Sequence, residues 1–123
     1  MNAAKYTVEL AGIMDAEVLL LHSFGGIPAA LAEKGDEIVE KLTKEAYELL
    51  EPYRELLRRG GVRFTEKILQ GKAGDVIVQL AEDERCDIIV IGSRGLSNLE
   101  RILLGSVTTR VVQMAACPVL VMR

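Results

Sequence analysis

One histidine, two cysteines and only 4% aromatic residues leave this 123-residue chain few of the usual catalytic assemblies. His22 has no second histidine with which to build a metal site or a Ser-His-Asp triad. Cys86 and Cys117 stand 31 residues apart, with no CxxC and no histidine near either. They read as small buried hydrophobes in a reducing cytoplasm. No apolar run reaches 18 residues and no charged-then-apolar leader opens the chain. Neither membrane nor export is therefore indicated, and the expected address is the cytoplasm. There is no GxxxxGK[ST], hence no P-loop lysine. A net charge of −3 argues against general nucleic-acid binding.

What is present is aliphatic. Half the residues are hydrophobic, as expected of a parallel sheet covered by helices, and the length suits one domain over residues 1–123. The charge is uneven. Residues 92–123 hold Arg94, Arg101, Arg110 and Arg123 against Glu100 alone, a net +3, which leaves −6 on residues 1–91. A basic site on an acidic body suits a small anion better than a polyanion.

The most informative stretch runs from Asp87 to Ser106. Ile88-Ile89-Val90-Ile91 predicts a strand buried on both faces, ending at Gly92-Ser93-Arg94-Gly95. Nine residues later, Gly105-Ser106 precedes a helical pattern with Val107, Val111, Val112 and Ala115 on one side. Strand, glycine turn and helix N-terminus together make a candidate phosphate cradle at the carboxyl end of a parallel strand. Ser106 adds a hydroxyl, and Arg94 and Arg101 add charge. The plainer reading, that the glycines serve only turn and joint geometry, stands beside it.

Elsewhere the pattern alternates helix and strand. Asn2 can cap a helix carrying Ala4, Val8 and Ala11, followed by a strand at 17–22 that ends in His22. His22 is a functional candidate or a strand-end residue bonded locally. Ser23 to Gly35 is a glycine- and alanine-rich loop, either flap or connector. Asp36 caps a predicted helix to Arg59, kinked by Pro52, with Ile38, Leu42, Ala46, Leu49, Tyr53 and Leu56 toward the core. Glu37–Lys41 and Glu40–Lys44 mark its solvated face. Gly60-Gly61 ends it. Val62–Leu69 alternates as a half-exposed edge strand, and a short helix follows from Asp75 to near Arg85. The last helix runs from about Ser106 to Ala116, stopping before Pro118, and Val119-Leu120-Val121-Met122 forms the last strand. That strand offers a free backbone edge.

Gly92-x-x-Gly95, nine residues, then Gly105-Ser106 matches the G-2x-G-9x-G-[S/T] motif of the universal stress protein family, which the chain resembles over nearly its whole length. CDIIVIGSRG, LLGSVTTRVVQMAACPVLVMR, EVLLLHSF and GKAGDVIVQLAEDERCD carry the resemblance further. It implies an α/β, Rossmann-like (adenine nucleotide alpha hydrolase-like) open parallel sheet with helices on both faces. It also implies ATP binding and a homodimer paired through Val119, Leu120, Val121 and Met122. By this resemblance Gly92, Ser93, Arg94 and Gly95 admit phosphate and ribose to bare backbone. Gly105, Ser106, Val107 and Thr108 hold the terminal phosphates, and the adenine lies near His22 and Ser23. Mg²⁺ would ride on the phosphates rather than in a protein cage.

The family's opening strand and its aspartate have no counterpart here, since the chain begins within the first helix. In the family that strand lies centrally, in order 3-2-1-4-5, between the equivalents of 17–22 and 87–91. Three repairs are open: an upstream segment beyond this sequence, direct pairing of 17–22 with 87–91 in a four-stranded sheet, or pairing supplied by a second copy. The functional expectation is an ATP-binding stress-response regulatory module without catalysis. The alternative is a dimeric interaction protein with an idle motif. ATP cleavage ranks third, because Glu100 is the sole base candidate within the motif. Gly95→Val is expected to abolish nucleotide binding while sparing the fold.

Overall fold

The computed structural model describes residues 2–93 and 105–123. Helix α1 (Asn2–Met14) includes Asn2 rather than being capped by it, and Ala4, Val8 and Ala11 lie on its buried side. An Ala16 N–H bond of 2.9 Å to the Ala11 carbonyl turns the chain into β1 (Val18–Phe24). The stretch expected as a loop contains a 3₁₀ helix, Ala29–Lys34, which leads directly into α2 (Gly35–Leu49). Lys34, not Asp36, stands at the N-cap, and Asp36 and Glu37 occupy the first turn, where the helix dipole favours them. On the outer face of α2 the ion pair that forms is Lys41–Glu45 at 4.0 Å.

The single kinked helix is also corrected. The chain breaks at Leu50, and α3 (Glu51–Arg59) begins there with Pro52 in its first turn. A proline at that position loses nothing, because its N–H would have no helical partner. The break shifts the core stripe. Leu49, expected inside, is 59% exposed, while Ala46, Leu50, Arg54 and Leu57 are buried. Gly61, at φ +67, takes the left-handed conformation that turns the chain from α3 toward the next strand.

The remaining elements are β2 (Phe64–Gln70), α4 (Ala73–Asp83), β3 (Ile89–Gly92), α5 (Ser106–Met114) and β4 (Val119–Met122). Strand β2 runs parallel to β1 with Val18 opposite Phe64 and Phe24 opposite Gln70. Strand β4 runs parallel to β3 with Ile89 opposite Val119 and Gly92 opposite Met122. These are two separate two-stranded sheets, so direct pairing of β1 with β3 in a four-stranded sheet is ruled out among the described residues. Helices hold the pairs together. Helix α4, crossing from β2 to β3, packs on β1 and α5, and α1 packs on α3, β3 and β4. At the α4–α5 contact Gly74 allows close approach, since a Cβ there would meet Arg110 Cγ at 2.7 Å.

The divided sheet changes where the core lies. The strand expected to be buried on both faces is only half-buried: every residue of β3 keeps part of its surface, as does every residue of β1 and β4, and none in β2 is fully buried. An inner strand that lacks a neighbour on one edge cannot be covered there. The buried residues sit instead under the helices. Ala11, Leu57 and Val62 form the central cluster, with Val8, Val18, Leu20 and Phe64 packed against it.

Beside that cluster lies a buried cation. Arg54, 3% exposed, donates from Nη1 to both carboxylate oxygens of Glu66 at 2.8 and 2.9 Å. Its Nε donates to Glu51 at 2.9 Å and its Nη2 to the Tyr47 carbonyl at 2.6 Å. Its guanidinium also lies 3.9 Å from the centre of the Tyr47 ring. A buried charge persists only when paired and hydrogen-bonded, and this one is. The Arg54 hydrogen bond, with the nearby Arg58 charge and against some desolvation, holds the Glu51 carboxyl below its ordinary range.

Candidate functional site

The second strand pair ends where the glycine segment begins. Ser93, next after β3, donates its N–H to the Met122 carbonyl at 2.7 Å, so the parallel pairing extends to Ser93. The Ser93 carbonyl then accepts the Gly105 N–H at 2.8 Å. The carboxyl end of β3 and the start of α5 are thereby stitched together. Thr108 adds a second brace, its hydroxyl donating to the Gly92 carbonyl at 2.6 Å. Ser93 and Thr108 are both buried, at 5% and 3% exposure.

This bracing fixes a set of amides. Gly105 is the N-cap of α5, with extended backbone at φ −61 and ψ 157. Thr109 makes the first helical bond back to it, 2.9 Å to the Gly105 carbonyl. The N–H groups of Ser106, Val107 and Thr108 therefore come before the helical ladder, at the positive end of the helix dipole. Ser106 is exposed, and among the described residues no hydrogen bond engages its hydroxyl. Such a set of donors fits a phosphate.

Six expected site residues are thus brought together: Gly92, Ser93, Gly105, Ser106, Val107 and Thr108. Within that group the Thr108 hydroxyl is committed to the Gly92 carbonyl and serves as a brace. Nothing in the local sequence separated this role from ligand contact, because the partner carbonyl is 16 residues away. Arg94 and Gly95, with Arg101 and Glu100, lie outside the described residues. His22 and Ser23 lie near the carboxyl end of β1, paired with Ile68 and Leu69. They belong to the other sheet, and among the described residues no hydrogen bond joins their side chains to the Gly92–Thr108 cluster.

The helix stripe read from valines is also refined. Val111 is fully buried, but Val107 and Val112 are 38% and 47% exposed. Thr108, one turn before Val111, takes the buried position beside it. Arg110, part of the local positive charge, is paired with Asp75 on α4 at 3.0 Å. No group of three or more His, Cys, Asp or Glu residues forms a metal cage among the described residues. None of their helices is long and apolar enough to cross a membrane.

The sequence model of the Universal stress protein family matches residues 1–123. Universal stress protein MJ0531 of Methanocaldococcus jannaschii is 38% identical over 129 residues, an alignment covering 100% of this chain and 74% of that protein. The solved structure of MJ0577, from the same organism, is similar with TM-score 0.85 and 36% identity, over 98% of this chain and 84% of that one. A universal stress protein from Archaeoglobus fulgidus in complex with dAMP is similar with TM-score 0.72 and 25% identity, over 98% of this chain and 85% of that one.

Proposed function

This chain belongs to the universal stress protein family, and from that premise we propose that it is an ATP-binding regulatory module rather than an enzyme. The observation that carries the proposal is the braced N-terminus of α5. Three amides ahead of the helical ladder, and a Ser106 hydroxyl with no hydrogen bond among the described residues, are held beside the carboxyl end of β3. These donors suit the terminal phosphates, and the dAMP complex of the Archaeoglobus relative supports an adenine nucleotide as the ligand. Ribose and inner phosphates would approach Gly92 and Ser93, and the adenine the β1 end at His22 and Ser23. Mg²⁺, if carried, would arrive on the phosphates.

Binding would be read out through assembly. Among the described residues strand β4 pairs only with β3, so its outer edge is available to the same strand of a second copy in a homodimer. Val112 and Met114 on the neighbouring α5 are 47% and 51% exposed, apolar surface that such a dimer would cover. One observation favours the second reading, a dimeric interaction protein with an idle motif. The adenine end and the phosphate end of the site stand on sheets that, among the described residues, are not paired with each other.

Calorimetric titration with Mg-ATP, with AMP and GTP as controls, separates the two. Adenine-selective binding with a dissociation constant on the order of micromolar supports the nucleotide module. Absence of binding up to roughly millimolar ATP supports the idle-motif reading. Sedimentation with and without ATP tests the dimer.

A further inference from the structure

At the opposite end of the second strand pair, the two cysteines line one pocket. Strands β3 and β4 enter their parallel ladder side by side, with Ile89 opposite Val119 and the Ile89 N–H 3.0 Å from the Pro118 carbonyl. Cys86 lies three residues before Ile89, and Cys117 two before Val119. Both line one pocket of about 210 Å³, together with Ala81, Arg85 and Ala116. Both are free thiols, as expected, but neither is fully buried, which corrects their reading as buried hydrophobes. Chains in a parallel ladder run about 4.8 Å apart, and a disulfide spans Cα separations of about 4.4–6.8 Å. Neither cysteine is itself in the ladder; each lies within three residues of it, and the shared pocket lies between their segments.

We propose that Cys86 and Cys117 are a dithiol modification site, converted reversibly to an intramolecular disulfide by exchange with a small-molecule disulfide. The thiolate of one cysteine attacks a sulfur of the reagent and expels the first thiolate leaving group. The second cysteine, as thiolate, then attacks the protein sulfur of that mixed disulfide and expels the second. Two protein thiols are oxidised, one disulfide is reduced to two thiols, and the two protons end on the products. Burial pushes the Cys86 thiol up, reinforced by Cys117, Glu84 and Asp87. Either thiolate can make the first attack, and the other cysteine resolves the mixed disulfide. The interaction between the two thiols is a second sign of their closeness.

The position gives the bond a consequence. The loop it closes, from residue 86 to residue 117, contains β3, the whole glycine segment and α5. Oxidation would therefore constrain the segment that carries the phosphate donors, and any resulting change in ATP affinity rests on the function proposed above.

The test is independent of nucleotide. The native chain is incubated with oxidised glutathione, capped with N-ethylmaleimide and weighed intact. The expected product is a monomer lighter by two hydrogens, carrying no maleimide, with a Cys86–Cys117 linked peptide on digestion. The C86S and C117S variants should each carry one glutathione and form no internal bond. A wild-type chain carrying two glutathiones, one retaining two maleimide-reactive thiols, or one cross-linked to a second copy would each overturn the proposal. Because the wild-type measurement needs no substitution, it decides the matter even where a variant fails to fold. Failure of ATP binding would leave this result standing.

Discussion

The half of the molecule built on β1 and β2 and the half built on β3 and β4 are each a parallel strand pair flanked by helices, yet their buried residues differ in kind. In the first, Ala11, Leu57 and Val62 make an apolar cluster, and Arg54 ties α2, α3 and β2 through Tyr47, Glu51 and Glu66. In the second, two of the buried side chains nearest the site are Ser93 and Thr108, and Val111 supplies the apolar anchor. Burial in the first half serves stability. In the second it holds backbone groups in place, among them the α5 amides proposed to meet phosphate. A binding site made of main chain needs such braces more than it needs apolar contacts.

If this division is right, substitutions in the two halves should separate stability from binding. The largest effect is expected from Leu57→Ala in the first half. It should lower unfolding free energy by about 2–5 kcal/mol in urea titrations, while folded protein keeps its ATP affinity. Next comes Thr108→Val, which removes the donor from the Gly92 carbonyl. A cost of about 1–3 kcal/mol is expected, together with weaker ATP binding, and Thr108→Ser should restore both. Joint loss of stability and affinity here, against loss of stability alone at Leu57, is the sharpest contrast between the halves.

Smaller still is Ser106→Ala. With no cap bond to lose, stability should be unchanged, and ATP affinity should fall by roughly tenfold, as for one hydrogen bond to a charged group. The smallest effect concerns acid. The Glu51 carboxyl is held below its ordinary value of 4.5, chiefly by the Arg54 hydrogen bond. A depressed folded-state value means that its contribution is complete above the unfolded value and fades as pH falls through the folded one. Thermal melts from neutral pH downward should therefore show wild type losing more on acidification below about 4.5 than Glu51→Gln does. Equal losses would remove Glu51 from the account.

Much of this was legible in the sequence. The strands, the start of α5 at Ser106 and the edge position of β2 follow from local patterns, because apolar period and glycine punctuation are local properties. The break at Leu50 was not legible. A stripe through Leu49, Tyr53 and Leu56 is as regular as the observed one through Leu50, Arg54 and Leu57. An arginine joins the core because Glu66 on β2, 12 residues away, pairs with it alongside the nearer Glu51 and Tyr47. For the site, the glycine spacing marked where the donors lie. It could not show that Thr108 turns back to Gly92, or that β1 and β3 remain unpaired, since both depend on distant parts of the chain.

In the proposed complex, phosphate meets the amides at the start of α5. The most direct measurement is the shift of backbone amide resonances during titration with Mg-ATP. Ser106, Val107 and Thr108 should move most, with Gly92 and Ser93 following and α2 and α3 still. Saturable ATP binding that leaves those three amides unmoved would contradict this placement.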